Sequence, residues 1–543
     1  MKRDISQLTL REKIGQTAVM QMSWFMNKEN LAEFLKDNPI GNVWHNGNHA
    51  MNTANLTGVT GGTIRDSEFY RKWMLELRDM LEVPPLIGLD PPGPGFASNY
   101  PVMVAAPAVG ATNSEELAYE FGVLQAKLAK AGGANYNWST VVDMPSRYNP
   151  LAIMRAMSDE PEKLCRMAGA MIRGLQDNGV AGTIKHFPGA DPHGYKDPHF
   201  TSGRGIMQTQ EEWMATSGAV FKNMIDQGGY SVMIGHGGIP AFDDDLIGVS
   251  ARPVTVSYKL TTKLLKETLG FKGVAITDAI DMGALVTAFP DPEDFFVELL
   301  NAGNDLLLNV KRYDYIDIVE GAVKKGRISE ERINDACSRV MALKEKLGLF
   351  DGVETVVMDD KLKAEIADFN RRVSEKAITL ECDINSQLPV DASKIKNVAI
   401  ICSTHRESAF EALNFMKEEF ERRGINVRLQ RRLSDYDEIA QIDKENDLII
   451  YAGFLMPHAP MGALSFYDEE CATFFFAFTK GKEKSIGVSM GSPYVYDDFY
   501  GNCPTFVHMF SPSRESQIAF VKAIFGEIPF EGVMPYRKNE KRK

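Results

Sequence analysis

The sequence predicts an α/β protein in which a (β/α)8 TIM-type barrel is followed by a smaller, doubly wound domain of flavodoxin-like type. Three observations support this prediction. Short apolar runs alternate with helical stretches over the first 350 residues, a second strand–helix series begins near residue 396, and 543 residues are too many for one ordinary domain. We therefore expect a catalytic barrel over 1–350, a linker with a packing helix over 351–395, and an α/β sandwich over 396–543.

Seven apolar, β-rich runs mark the expected barrel strands. They are Val43–His45, Pro85–Asp90, Asn135–Asp143, Gly182–His186, Ser231–His236, Val274–Asp278 and Asp305–Val310. Amphipathic segments separate them, and one of these, 114–131, has Asn113 as its expected N-cap and Gly132-Gly133 as its stop signal. Strands that are apolar on both faces and alternate with helices indicate a parallel sheet, and seven or eight such units favour a closed barrel.

Five short strands are expected in the C-terminal domain, and their spacing suits a small doubly wound sheet. They are Asn397–Cys402, Asn426–Leu429, Asp447–Ala452, Ser485–Met490 and Thr505–Phe510. The sequence of this domain contains neither G-x-G-x-x-G nor a P-loop, so a nucleotide-binding role has no support.

Composition and charge exclude several classes of protein. Sixty basic and 73 acidic residues give a net charge of −13, which disfavours a nucleic-acid partner or an anionic membrane surface. No run approaches the roughly 18 apolar residues of a membrane span, and the N-terminal MKRDISQLTLREKIGQ lacks the apolar core of a signal peptide. The six cysteines form no C-x-x-C pair and are expected to be buried thiols. We expect a cytoplasmic monomer or homodimer.

Polar side chains end nearly every predicted barrel strand. In a barrel these ends meet at the C-terminal mouth, where active sites are built, so an active site is expected there. The residues are His45, Asn46, Asp90, Asp143, Lys185, His186, His236, Asp278 and Asn309.

The densest polar segment is KHFPGADPHGYKDPHF at 185–200. Within it, Asp197 stands two residues before His199, so its carboxylate can orient the ring while the other ring nitrogen shuttles a proton. An ordinary Asp-Pro turn remains the alternative interpretation. The spacing of His186, His193 and His199 matches no zinc signature, and neither a metal nor a cofactor is predicted.

Asp278 ends the apolar strand in GVAITDAIDMGAL, where its carboxylate can serve as the nucleophile of a retaining glycosidase. The alternative role is to cap the following helix, for which Asp281 is the better candidate of the two.

Several motifs, in the expected order along almost the whole chain, resemble glycoside hydrolase family 3, and most of all its bacterial two-domain β-N-acetylglucosaminidases. KHFPG, Asp197-x-His199 and Asp278 before Met282 carry the resemblance. Further similar segments are LTLREKIGQ at 8–16, ANYNWSTVVDM at 134–144, MRAMSDEP at 154–161, VMIGHGGIPAFD at 232–243, GRISEERINDACSRVMALKEKLGLF at 326–350 and AIFGEIPFEGVMP at 523–535.

The resemblance implies an exo-acting retaining β-glycosidase that removes a terminal β-linked N-acetylglucosamine. It assigns Asp278 as nucleophile and His199 as general acid/base, with Asp197 as the orienting partner. It also implies hydroxyl-binding roles for a set of basic and acidic residues near the mouth. These are Asp90, Arg155, Lys185 and His186, and we add the strand-end His236 to them.

The sequence departs from the family pattern around these groups. Asp90 is followed by Pro91-Pro92-Gly93-Pro94-Gly95, the motif KHFPG continues with Ala190-Asp191-Pro192, Ala279 replaces an acidic neighbour of the nucleophile, and the first loop at 45–62 is long. Three alternatives therefore stay open. They are a phosphorolytic variant, a β-glucosidase or β-xylosidase whose acid is Asp468, Glu469 or Glu470, and a sugar-binding relative that has lost catalysis.

Overall fold

The computed structural model divides the chain into two compact units. The first comprises Met1–Pro101, Ala118–Met144 and Leu164–Asp360, and the second comprises Val102–Leu117, Pro145–Lys163 and Lys361–Lys543. Among the described residues, no helix combines the length and apolar character needed to cross a membrane. The structure describes residues 4–21, 28–44, 65–91, 97–149, 151–191, 198–201, 203–352, 354–405, 407–455, 457, 464–466, 468–497 and 503–536.

The first unit is built on eight parallel strands, which confirms the predicted barrel. Neighbouring strands pair in the order β8-β1-β2-β3-β4-β5-β6-β7, and a parallel bridge between Ile276 and Leu306 joins β7 to β8. The strands are β1 Ala18–Gln21, β2 Asn42–Trp44, β3 Leu86–Leu89, β4 Tyr136–Val141, β5 Ala181–Phe187, β6 Ser231–Ile234, β7 Val274–Thr277 and β8 Leu307–Leu308.

Helices follow the barrel strands and cover the sheet. Up to residue 346 they are Leu10–Gly15, Lys28–Asp37, Ser67–Met80, Glu115–Ala131, Pro161–Asp177, Gln210–Ala215, Ser217–Asp226, Lys259–Thr268 (a π-helix), Gly283–Val286, Pro292–Ala302, Tyr315–Lys324 and Glu330–Lys346. The helix Ala106–Ala111 belongs to the second unit. The helix at 115–131 is as predicted, but its cap is not, because the Leu117 N–H donates to Ser114 Oγ (3.3 Å) while Asn113 takes a left-handed φ of 50°.

Large apolar side chains fill the barrel lumen. Val19, Trp138 and Ile276 belong to one buried apolar cluster to which all eight strands contribute, together with Val340, Leu343 and Leu349 from the segment after β8. Side chains of all eight strands can meet in one cluster only on the inner face of a closed barrel. Gly88 makes room for the largest of them, because a Cβ on Gly88 would lie only 1.9 Å from Trp138 Cζ2. The lumen is therefore a packed core, and ligands can enter only above it, at the carboxyl ends of the strands.

The second unit carries a six-stranded sheet in the order β9-β14-β13-β12-β10-β11. Its five parallel strands have the 2-1-3-4-5 order of flavodoxin-like domains, which confirms the predicted type. The strands are β9 Thr379–Asp383, β10 Asn397–Ser403, β11 Asn426–Gln430, β12 Leu448–Gly453, β13 Ser485–Ser489 and β14 Thr505–His508, and the helices are Asp360–Ala377, Glu407–Ala412, Asn414–Arg422, Tyr436–Glu445, Ala472–Phe476 and Arg514–Ile524.

Two strands of these two large sheets are absent from the sequence prediction. β1 comes shortly after the first helix and is a run of only four residues. β9 lies within the segment predicted as linker and packing helix, and it pairs antiparallel with β14. The six cysteines, all within the described residues, are free thiols as expected, but only four are buried, because Cys382 and Cys471 are partly exposed.

One lysine is buried in the barrel unit without a carboxylate. Lys344 is 0% exposed, and its Nζ donates to Gln16 Oε1 (2.6 Å) and to the Gly41 carbonyl (3.0 Å). Burial lowers the pKa of Lys344 from 10.5 to about 7, and the attraction of Cys337 opposes the shift only weakly. The same burial raises the pKa of Cys337 to about 11, so this thiol stays protonated where Lys344 titrates.

Lys344 should make stability rise with pH. Between its native pKa of about 7 and its ordinary value of 10.5, the unfolded chain holds a proton that the native chain has released. The free energy of unfolding should therefore increase by about 3 kcal/mol between about pH 6 and about pH 9.5 through this group. Urea unfolding should show that Lys344→Met removes this increase, whereas Lys346→Met, on the exposed side of the same helix, keeps it. An unchanged pH slope in Lys344→Met would contradict the assignment.

Candidate active site

The carboxylate of Asp278 lies at the mouth of the barrel, directly after β7. Its side chain is 17% exposed, and Oδ1 accepts a hydrogen bond from the Ala279 N–H (2.8 Å). The Asp278 N–H donates to the Ile234 carbonyl of β6 (2.8 Å), so the strand ladder fixes the main chain at this residue. The carboxylate therefore stands on a rigid element and points into the mouth.

His186 lies between two carboxylates at the end of β5. Its Nδ1 contacts Asp143 Oδ2 at 2.6 Å, and its Nε2 lies 4.0 Å from Asp278 Oδ2. The His186 main-chain N–H also donates to Asp143 Oδ1 (3.2 Å), so Asp143 fixes both the backbone and the ring. Asp143 ends a predicted strand, yet its role as the orienting partner was missed, because sequence position alone does not show which strand ends meet.

Lys185 forms the other polar contact at this strand end. The side chain is 2% exposed, and Nζ donates to Asp90 Oδ1 (2.9 Å) at the end of β3, while Asp90 is 41% exposed. Because the buried ammonium binds only Oδ1 of this half-exposed carboxylate, the second oxygen, Oδ2, can accept a hydrogen bond from a ligand hydroxyl. The structure thus brings Asp90, Lys185, His186 and Asp278 together, as predicted for the mouth.

Electrostatics keep the Asp278 carboxyl ionised. Burial raises the pKa of Asp278, and four neighbouring groups lower it by a larger amount, so that the net value lies below the ordinary 3.8. These groups are the His186 and His236 rings, the Lys185 ammonium and the Ala279 N–H. An ionised carboxylate in a partly desolvated site is the state required of a nucleophile at neutral pH.

His236 does not have the surroundings of a sugar-binding residue, which corrects the prediction. It is 0% exposed, and both ring nitrogens contact protein atoms: Nδ1 lies 2.7 Å from Thr255 Oγ1 and Nε2 lies 3.0 Å from the Ala279 carbonyl. Burial lowers the pKa of His236, which favours the neutral ring. Because a carbonyl only accepts, Nε2 carries the proton and holds the peptide next to Asp278 in place.

The main chain at His199 is fixed against the turn that follows Asp278. The Gly283 N–H donates to the His199 carbonyl (2.9 Å), and the Ala284 N–H donates to the Pro198 carbonyl (3.1 Å). A side chain at Gly283 would block this approach, because its Cβ would lie 2.6 Å from the His199 oxygen. The His199 side chain is exposed and close enough to His236 to influence its pKa. Asp197 and His193 lie outside the described residues.

Two further predicted residues lie elsewhere than expected. Asp281 does not cap a helix, because the helix begins at Gly283 with Met282 as a cap that makes no side-chain bond. Its carboxylate instead accepts hydrogen bonds from Asn309 Nδ2 (2.7 Å) and from Lys311 Nζ. Arg155 belongs to the second unit, and its sugar-binding role stays a prediction.

Among the described residues, three consecutive carboxylates are close enough to share a cation. The ligand atoms of Asp243, Asp244 and Asp245 lie within 4.8 Å of one another. Lys259 Nζ already contacts this cluster, at 2.9 Å from Asp243 Oδ1 and 3.4 Å from Asp245 Oδ2. The lysine supplies the positive charge there, and the cluster does not indicate a metal.

The family model described as the glycosyl hydrolase family 3 N-terminal domain matches residues 9–343, well over half of the chain. The chain belongs to glycoside hydrolase family 3. The match spans every strand of the barrel and all of the mouth residues described above, so the resemblance read from the sequence motifs is confirmed.

The curated relatives of this family 3 chain align with about half of it. A β-N-acetylglucosaminidase/β-glucosidase of Cellulomonas fimi is 28% identical over 305 residues, covering 54% of the chain and 53% of the relative. A β-hexosaminidase A of Pseudoalteromonas piscicida is 28% identical over 272 residues, covering 46% and 44%. The chain thus spans about half the length of the curated relatives it matches.

Solved structures share the fold over almost the whole family 3 chain. The β-glucoside phosphorylase BglX has a TM-score of 0.82 at 20% identity, with 98% of this chain and 94% of that chain covered. A family 3 β-N-acetylglucosaminidase from Paenibacillus sp. str. FPU-7 has a TM-score of 0.79 at 23% identity, with 97% and 98% covered. These likenesses establish the two-part architecture.

Proposed function

We propose that this family 3 β-glycosidase is exo-acting and retaining, and that it releases terminal β-linked N-acetylglucosamine by double displacement. The observation that carries the proposal is the ionised Asp278 carboxylate, which is held at the barrel mouth by main-chain hydrogen bonds and neighbouring cationic and imidazole groups. Family membership supports the reaction class, and the amino-sugar names of two curated relatives support the substrate.

In the first step an oxygen of Asp278 attacks the anomeric carbon. The bond from that carbon to the glycosidic oxygen breaks, and the leaving oxygen takes a proton from His199, which gives a glycosyl ester on Asp278. The backbone contact between Gly283 and His199 supports this pairing, because it fixes the acid residue against the turn behind the nucleophile. During this step Asp90, Lys185 and His186 bind the hydroxyls of the sugar.

In the second step His199 acts as the base. It takes a proton from a water molecule, whose oxygen attacks the anomeric carbon and releases the Asp278 carboxylate, so the β-configuration is retained. Asp197 orients the His199 ring in this proposal. His236 acts indirectly, by binding the main-chain carbonyl of Ala279, the residue whose N–H binds the nucleophile.

A histidine acid also suits phosphate as the acceptor. A carboxylate beside the anomeric carbon would repel an anion, whereas an imidazole does not. Phosphorolysis is therefore the second candidate, in which phosphate oxygen replaces water in the second step.

An acid from the C-terminal domain is less well supported. Glu470 is 5% exposed, its Oε2 accepts from the Thr404 N–H (3.0 Å), and its Oε1 lies 3.4 Å from Arg431 Nη2. Both carboxylate oxygens of Glu470 therefore already have partners within the second unit. The side chains of Asp468 and Glu469 lie outside the described part of the chain.

The test is a panel of aryl β-glycosides that differ only in the sugar. We expect kcat/KM for the N-acetylglucosaminide to exceed that for the glucoside and the xyloside by at least about tenfold, because a site that binds a polar substituent discriminates against its absence. The panel is run with and without inorganic phosphate, and the released sugar is identified as free sugar or sugar 1-phosphate. Preference for the glucoside or xyloside would overturn the substrate, and absence of any turnover would overturn the reaction.

A further inference from the structure

The last residue of β1 faces the inside of the barrel. Val19 belongs to the apolar cluster in the lumen, and side chains two residues apart on a strand point to the same side. Gln21, two residues after Val19, therefore points into the lumen above that cluster. It is 2% exposed. A buried amide at the carboxyl end of a barrel strand lies at the level where ligands bind.

Strand registers place Gln21 in one layer with Asp90. Gln21 pairs with Trp44 of β2, and Trp44 pairs with Gly88 of β3. In an eight-stranded barrel of this type, four side chains from alternate strands form each layer, and the tilt of the strands advances the layer by two residues from one alternate strand to the next. On β3, the residue two positions after Gly88 is Asp90, so Asp90 lies in the same layer as Gln21.

The registers on the other side of β1, through β8 to β7, place Gln21 in one layer with Asp278 as well. The bridge between β7 and β8 places Leu308 beside Asp278, and Leu308 pairs with Val19 of β1. Two residues beyond Val19 is again Gln21. The layer at the mouth thus consists of Gln21, Asp90, Lys185 and Asp278, from β1, β3, β5 and β7.

Gln21 differs from the other three members in its hydrogen bonding. Lys185 binds Asp90, and Asp278 binds the Ala279 N–H. Gln21 Nε2 is buried, and within the part of the chain that the structure describes it donates to no acceptor. An unsatisfied buried donor costs free energy unless a ligand supplies the acceptor.

We propose that Gln21 is a substrate-binding residue whose Nε2 donates a hydrogen bond to an oxygen of the terminal sugar. Around the layer, Gln21 stands between Asp278 and Asp90 and opposite Lys185. The acceptor is accordingly a hydroxyl or acetamido oxygen on the edge of the sugar that runs from the anomeric carbon toward Asp90. This inference rests on the proposed function, because it takes the barrel mouth as the sugar site.

Gln21→Met tests this role, because methionine keeps the length of the side chain and removes the donor. Binding of N-acetylglucosamine and of glucose is measured by calorimetry, together with kcat/KM on the aryl glycosides and the thermal unfolding midpoint. We expect affinity for the bound sugar and kcat/KM to fall by about 10- to 100-fold while the unfolding midpoint stays the same or rises. Sugar affinity within twofold of wild type would overturn the proposal, as would a loss of affinity that accompanies a lower midpoint.

A second buried glutamine gives the matched control. Gln125 Oε1 accepts hydrogen bonds from Ser139 Oγ (2.7 Å) and Asn137 Nδ2 (3.2 Å). Gln125→Met should therefore lower the unfolding midpoint and leave sugar affinity unchanged. Because calorimetry needs no turnover, a wild-type chain that binds sugar but hydrolyses no glycoside overturns the proposed reaction and still tests Gln21. A wild-type chain that binds neither sugar overturns both.

Discussion

Replacing Asp278 with asparagine should lower kcat on aryl β-N-acetylglucosaminides by at least about 10³-fold, because the amide cannot form the glycosyl ester. Asparagine has the same shape, and the hydrogen bond from the Ala279 N–H to the side-chain oxygen can persist. The fold should therefore survive, which thermal unfolding checks. Intact-mass measurement on the wild type should reveal the glycosyl-enzyme when a slow substrate is used, and the variant should show none.

Asp281 provides the matched control for this variant. It lies three residues further along the same loop, and its carboxylate binds Asn309 and Lys311. Asp281→Asn removes one negative charge from the same region and should retain kcat near the wild-type value. Wild-type kcat in Asp278→Asn would refute the nucleophile assignment, and an equal loss in both variants would indicate a general effect of charge.

The second large effect is expected for His199→Ala, and its size should depend on the leaving group. With an aryl glycoside whose phenol is a poor leaving group, kcat/KM should fall by about 10²- to 10⁴-fold, because the departing oxygen needs a proton. With a dinitrophenyl glycoside, which leaves without protonation, the fall should be far smaller. The pH profile of kcat/KM should also lose the limb that belongs to the acid.

Glu470→Gln separates this assignment from the alternative in which the C-terminal domain supplies the acid. The substitution keeps the shape of a buried side chain that binds the Thr404 N–H. We expect it to leave the dependence on the leaving group unchanged. Retained activity in His199→Ala together with lost activity in Glu470→Gln would reverse the roles.

Much of the mouth could be predicted from the sequence because strand ends have a local signature. An apolar run that stops at a charged residue reveals Asp90, Lys185 and Asp278, and the barrel then forces those ends together. The pairing of His186 with Asp143 was not predictable in this way. It depends on the neighbouring positions of β4 and β5, which the sequence pattern of neither strand contains.

Two errors share a physical cause. His236 and Asp281 are polar residues at strand or turn ends, and the sequence pattern predicts a ligand contact for one and a helix cap for the other. Tertiary contacts decide otherwise, because Thr255 and the Ala279 carbonyl bind the His236 ring while Asn309 binds Asp281. The sequence pattern gives no indication of Gln21, because β1 is a run of only four residues and does not stand out as a strand.

The second unit is assembled from segments that lie far apart in the sequence, and this limits the order in which the chain can fold. Val102–Leu117 and Pro145–Lys163 belong to that unit, although barrel strands precede and follow them in the sequence. The Ala105 N–H donates to Ser511 Oγ across a separation of 406 residues. At about 5–20 residues per second, a ribosome takes roughly 20–80 s to span that separation. During synthesis these two early segments therefore cannot pack against the C-terminal part of their unit, 361–543, until long after the neighbouring barrel strands have been made.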